Sequence, residues 1–152
     1  MMSVTSRFAA DGNRADYISY RDNADNGDSL KFTRDPVTAN TVRKIARGAL
    51  TVGDLTYRNN LGLLPDSVIE NWPDRPLSEL TEKYLQPILD PSPEMLIIGT
   101  GWTNSFAPRE LVFALARRGI GLEVMTTPAA CRTFNILVGE DRLPGAILYV
   151  DA

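Results

Sequence analysis

The sequence predicts an α/β domain built on a parallel βαβ core and preceded by a polar extension. Three stretches carry that prediction. "MLII" at 95–98 is an unbroken apolar run, too short for a helix, that stops at Gly99 as a buried strand does. Residues 107–118, "APRELVFALARR", carry helix signals at both ends. "GLEVM" at 121–125 alternates as a second strand, so residues 95–125 form one βαβ unit, expected to join parallel strands by a right-handed crossover.

Taken in order, residues 1–29 are polar, with Arg7, Arg14 and Arg21 against five aspartates and a turn-rich "DNADNGD" at 22–28. They read as a flexible N-terminal extension, the alternative being a partner-binding arm that uses Phe8, Tyr17 and Tyr20. Residues 30–152 read as a single domain, and its first part is a series of short β-branched segments. In "LTVGDLTY" the alternation runs through Gly53-Asp54, which predicts a two-residue hairpin with glycine first. Six of the ten prolines fall between Pro65 and Pro93. They bracket a predicted helix over 78–86, "SELTEKYLQ", which Pro87 is expected to stop. In the helix at 107–118, Pro108 suits the first position, Glu110 the positive end, Arg117 and Arg118 the negative end, and Gly119 the stop. Thr127 is expected to cap a further helix beginning at Pro128, and "AILYV" at 146–150 supplies the last strand.

Composition removes several function classes. The chain has 152 residues, 43% of them hydrophobic, which suits one domain with a sizeable core. A net charge of −3 gives no field to gather nucleic acid. One cysteine excludes an internal disulfide and a multi-cysteine zinc site. The absence of histidine removes the Ser-His-Asp triad, the Cys-His dyad and the commonest metal ligand, so no enzyme, metal or cofactor is expected. No apolar run approaches the roughly 18 residues of a membrane span, and the first residues match neither a secretory nor a mitochondrial signal. The expectation is a soluble cytoplasmic protein that does not insert into a membrane.

The chemical signals cluster after residue 98. "GTGWTN" follows a strand, but Asn104 stands where a dinucleotide fingerprint has its third glycine, and the loop runs on to Ala107 before the helix begins. Gly99, Thr100 and Gly101 therefore read as a tight turn whose N–H groups can face a ligand or a partner. On the helix from Pro128, residues Ala130, Cys131, Phe134, Leu137 and Val138 share an arc of roughly 120°. Cys131 then packs as a small hydrophobe, although its place near a helix N-terminus beside Arg132 keeps a reactive thiol as the other reading. Arg132 and Asn135 share a different face. Their ordinary role is to bond nearby carbonyls, and Arg132 is expected to hold those of the glycine turn with its planar fork of donors. Their sharper role is to join Gly99, Thr100, Gly101 and Thr127 in a crevice at the carboxyl ends of parallel strands, where a carboxylate or phosphate would sit.

"MLIIGTG", then "RRGIGLEVMTTPAACRTFNIL", then "GEDR" before "AILYV" resembles the Mth938-type domain family, which includes a mitochondrial respiratory complex I assembly factor. Upstream, "LKFTRDP" and "ALTVGDLTYRNNLGLLPDSVIENW" resemble the family's opening strands, so the likeness spans residues 30–150. The resemblance implies a compact three-layer α/β fold, with a β-rich N-terminal part and a central mixed, largely parallel sheet. It implies no reaction. It points instead to a non-enzymatic interaction or assembly factor with protein partners, the alternative being a small anionic ligand or nucleotide-binding domain that uses the strand-end crevice. Thr126 stands where the family commonly has aspartate, which takes a carboxylate out of that crevice.

Overall fold

The computed structural model describes residues 3–6 and 40–151. Phe8, Tyr17, Tyr20 and the "LKFTRDP" segment lie outside the described residues. Within the stretch read as an extension, β1 (Ser3–Ser6) is an edge strand, paired antiparallel with β6 in the register Ser3↔Glu70 to Ser6↔Ser67.

After Asn40 the chain folds into β2 (Val42–Ala46), β3 (Ala49–Val52) and β4 (Leu55–Tyr57), an antiparallel three-stranded sheet. The predicted Gly53-Asp54 hairpin is present: Val52 pairs directly with Leu55. Gly53 takes φ 58°, a conformation that favours glycine. Next come β5 (Leu61–Leu64) and β6 (Ser67–Glu70), whose turn is clamped by buried Asn40, with its Nδ2 donating to the carbonyls of Leu64 (2.9 Å) and Ser67 (3.2 Å).

The helix expected over 78–86 does not form. A 3₁₀ turn at Leu77–Glu79 ends when Leu80 goes extended (ψ 133°), and α1 (Gln86–Leu89) starts later, with Pro87 inside its first turn. Proline lacks only an N–H that a helix start leaves unused, so Pro87 opens a helix here instead of stopping one. The broken path also buries Leu77, Leu80, Leu85, Ile88 and Leu89 together, which one short helix could not present on a single face.

The remaining elements follow the sequence closely: β7 (Met95–Gly99), α2 (Arg109–Arg117), β8 (Gly121–Met125), α3 (Thr127–Gly139) and β9 (Pro144–Leu148). At the end of α2, Gly119 takes φ 75°, Ile120 N–H donates to Leu115 O and Gly119 N–H to Ala116 O, a glycine stop of the Schellman kind. The main sheet runs β1-β6-β5-β9-β7-β8. It is mixed: β7 is parallel to both β8 and β9, and the pairs from β9 through β5 and β6 to β1 are antiparallel.

Strand alternation sorts the core into two halves. Ile97, Ala146 and Leu148 point towards α3 and the small sheet, joining Phe134, Cys131 and Leu50. Leu96, Ile98 and Ile147 point the other way, towards Leu111 and Leu115 of α2 and Ile88 of α1. Three layers result, with the sheet buried on both faces.

Candidate functional site

Parallel strands bring the carboxyl ends of β7, β8 and β9 to one end of the sheet, the usual place for a ligand in open α/β sheets. Thr127 lies at the centre. It opens α3 but is not its cap residue, a position taken by Thr126 without a side-chain bond. Instead the fully buried Thr127 Oγ1 donates to Tyr149 O (2.7 Å) and accepts from Gly101 N–H (2.8 Å), while Thr127 N–H donates to Gly101 O (2.7 Å). Tyr149 N–H in turn donates to Gly99 O (2.9 Å). Three bonds thus tie the ends of β7 and β9 to the start of α3, and the fourth joins the two strand ends to each other.

Gly99 is required by this contact. A Cβ there would lie 2.9 Å from both Thr127 Cα and Thr127 Oγ1, and 3.0 Å from Ala130 Cβ. Gly101 takes φ 90°. Thr100 Oγ1 reaches Thr103 O (2.6 Å) and Met125 O (3.2 Å), and Thr100 N–H also donates to Met125 O. The structure brings these glycines and threonines together, and the chain's own groups use the N–H donors of Thr100, Gly101 and Thr127. At the start of α3, Thr127 N–H is bonded to Gly101 O, and Pro128 has no N–H to offer.

The other candidates separate. Asn135 turns towards the small sheet, where its Oδ1 accepts from Val42 N–H (2.8 Å) and its Nδ2 donates to Val42 O (2.9 Å). The amide thereby extends the ladder of β2 onto α3. Arg132 is exposed, and no hydrogen bond or ion pair reaches it among the described residues; the expected fork around the glycine turn is absent. Cys131 is fully buried. Burial pushes its thiol up to about 12, against the pull of the Arg132 guanidinium. That is the packing reading, since a nucleophile needs the opposite shift together with access.

What stays open is the long connection from β7 to α2. On one side of it a crevice of about 470 Å³ lies between Asp74–Ser78 and Thr103–Phe106, with Thr100 and Tyr149 contributing to its wall, so that the carboxylate of Asp74 shares the lining with Arg75. The cation here is Arg75, which stacks over the Tyr84 ring at 4.9 Å and has no ion pair among the described residues. Tyr149 donates its phenol to Arg75 O (2.5 Å), and burial raises it to about 12, so it stays neutral at ordinary pH. On the other side, about 390 Å³ opens between the loop, Val112 of α2 and the side chains of Leu122 and Val124 on β8. Between the two hollows stands Phe106, 89% exposed, and Val112 beside it in the second hollow is also exposed. Sequence reading missed both Arg75 and Phe106. For Phe106 a signal existed: a large apolar residue in "TNSFAP" with no periodic partner, in a loop too long for a simple βα turn.

Together, the mixed sheet between two helical layers and the Thr127 tie define a three-layer α/β domain whose strand-end turn is structural. A family model described as "Protein of unknown function (DUF498/DUF598)" matches residues 42–149. The chain belongs to this family, the Mth938-type domains. A Bordetella parapertussis structure superposes with a TM-score of 0.69 at 31% identity, covering 75% of this chain and 98% of that one. A Bordetella pertussis protein described as a Mth938-like domain gives 0.62 at 28% identity, covering 74% and 87%.

Among curated proteins, the chain is 34% identical over 105 residues to the Bos taurus "NADH dehydrogenase [ubiquinone] 1 alpha subcomplex assembly factor 3", covering 68% of this chain and 56% of the relative. It is 31% identical over 104 residues to a "13 kDa major membrane protein" of Francisella tularensis, covering 67% and 82%. The chain spans about half the length of the assembly factors it matches. Among the described residues no helix is long and apolar enough to cross a membrane.

Proposed function

We propose that this protein is a non-enzymatic, cytoplasmic interaction or assembly factor, with components of a respiratory complex I type as its partner class. The observation that carries the reading is Phe106. A phenylalanine 89% exposed, sharing the wall of one hollow with half-exposed Val112, forms the kind of apolar surface that marks a protein contact. The relatives named as assembly factors support the same reading. Affinity purification from the native host under crosslinking is expected to recover a reproducible partner. A clean failure, with the bait folded and abundant, would count against the proposal.

A second reading is favoured by one feature, Arg75 without an ion pair at the rim of the 470 Å³ crevice: a small anionic ligand bound there. Ligand at 100 times its Kd would stabilise the fold by about 2.7 kcal/mol. A thermal-shift screen of nucleotides and carboxylates, run beside Arg75→Ala, tests it, and silence at millimolar ligand would leave the crevice empty of function.

A further inference from the structure

We infer that the outer edge of β8 accepts an extended strand from a partner protein, with apolar side chains flanking a basic residue that lies against Glu123. The inference rests on the interaction reading and names its docking face. β8 is the last strand of the main sheet, and among the described residues it pairs only with β7. Its five residues leave roughly 16 Å of backbone edge whose outward donors and acceptors have no partner among the described residues. Exposed edges are normally blunted by proline, a bulge, lysine or a covering element. β8 has no proline or lysine, its register against β7 runs unbroken from Met95↔Gly121 to Gly99↔Met125, and its one charge is Glu123.

The side chains specify what such a strand must carry. Leu122 and Val124 pack towards the α2 layer and line the 390 Å³ hollow with Phe106 and Val112. A strand laid along β8 would place alternate side chains over that hollow, where apolar groups are favoured. Glu123 alternates to the opposite face, is exposed, and has no ion pair among the described residues. The residue set against it is favoured when basic and disfavoured when acidic. This also excludes the simplest second copy, because antiparallel self-pairing centred on the strand would oppose Glu123 to Glu123.

Two peptides, acetyl-TVKVT-amide and acetyl-TVEVT-amide, test the edge by NMR titration of the labelled full chain. The lysine peptide is expected to shift the β8 and Phe106 amides, slow amide exchange along β8, and bind roughly three- to tenfold tighter than the glutamate peptide, the range that opposed against like cross-strand charges produce. Glu123→Lys should invert that preference, and Phe106→Asp should weaken both peptides. Shifts located elsewhere, a preference unchanged in Glu123→Lys, or no shift with either peptide at millimolar concentration would each overturn the edge proposal. So would sedimentation showing a wild-type dimer that Phe106→Asp dissolves, since the face would then belong to a second copy. The interaction reading itself stands or falls separately, on recovery of a partner under crosslinking.

Discussion

Two βα turns leave the same end of the sheet and are built in opposite ways. From β8 to α3 the chain passes through Thr126 alone, and the next residue, Thr127, is buried and bonded to both neighbouring strand ends. From β7 to α2 it takes residues 100–108, is tied down at Thr100 and Gly101, and then runs exposed from Thr103 to Phe106. A short turn leaves no backbone to spare, so every polar group in it must be satisfied internally. A long one has groups left over for something outside the chain. The first turn is closed on itself by its own bonds, and the second leaves exposed groups, which is where the proposed contact falls.

The sealed turn should be the fragile one. Thr127→Val keeps the shape but strips the hydroxyl, leaving Gly101 N–H and Tyr149 O without their partner, at about 1–3 kcal/mol for each buried group. Denaturant melts measure this, and a loss within about 0.5 kcal/mol, the range of an ordinary surface change, would contradict the role given to Thr127. Gly99→Ala comes next. Its new Cβ meets the backbone Cα of Thr127 at 2.9 Å, and overpacking of this kind costs about 1–3 kcal/mol. Unchanged stability would show that α3 can slide away from β7.

Cys131, one turn into α3, adds a pH signature. Its folded thiol is raised to about 12 from an ordinary value near 9. The unfolded chain therefore loses this proton first as pH rises, and the associated stability, present in full below about pH 9, is lost as pH climbs towards 12. Tyr149, raised from 10 to about 12, acts with the same sign but only from about pH 10 upward. Cys131→Ala should flatten the decline between about pH 9 and 10 and make it shallower from about 10 to 12, where Tyr149 still contributes. A wild-type stability that is level over that first interval would contradict the buried thiol. Smallest of all is Arg132→Lys. With no hydrogen bond or ion pair to Arg132 among the described residues, the change should stay within about 0.5 kcal/mol, and a larger loss would restore the fork that the sequence suggested.

The sequence revealed most where local signals agreed. The β7-α2-β8-α3 run was legible because proline, charge and glycine marked the ends of α2, while β7 showed a short unbroken apolar run ending at glycine and β8 a clear alternation. The 78–86 stretch was not, because apolar residues at helical spacing were satisfied equally well by a broken path that packs them against α2 and the sheet. Asn135 and Thr127 were picked out as polar residues near a strand end. Their partners, Val42 and Tyr149, lie 93 and 22 residues away in the chain, so only the assembled sheet could show that both serve the fold. Arg75 reached the crevice through the same long-range assembly.

The claim that contact belongs to the open turn is tested most directly by one crosslinking purification carried out in parallel with wild type, Phe106→Asp and Thr126→Ala baits. Phe106 is 89% exposed and Thr126 makes no side-chain cap bond, so both variants should fold and their melts should match the wild type within about 0.5 kcal/mol. The account predicts that partner recovery survives Thr126→Ala and collapses with Phe106→Asp. Recovery undiminished by Phe106→Asp, or lost equally with Thr126→Ala, would contradict it.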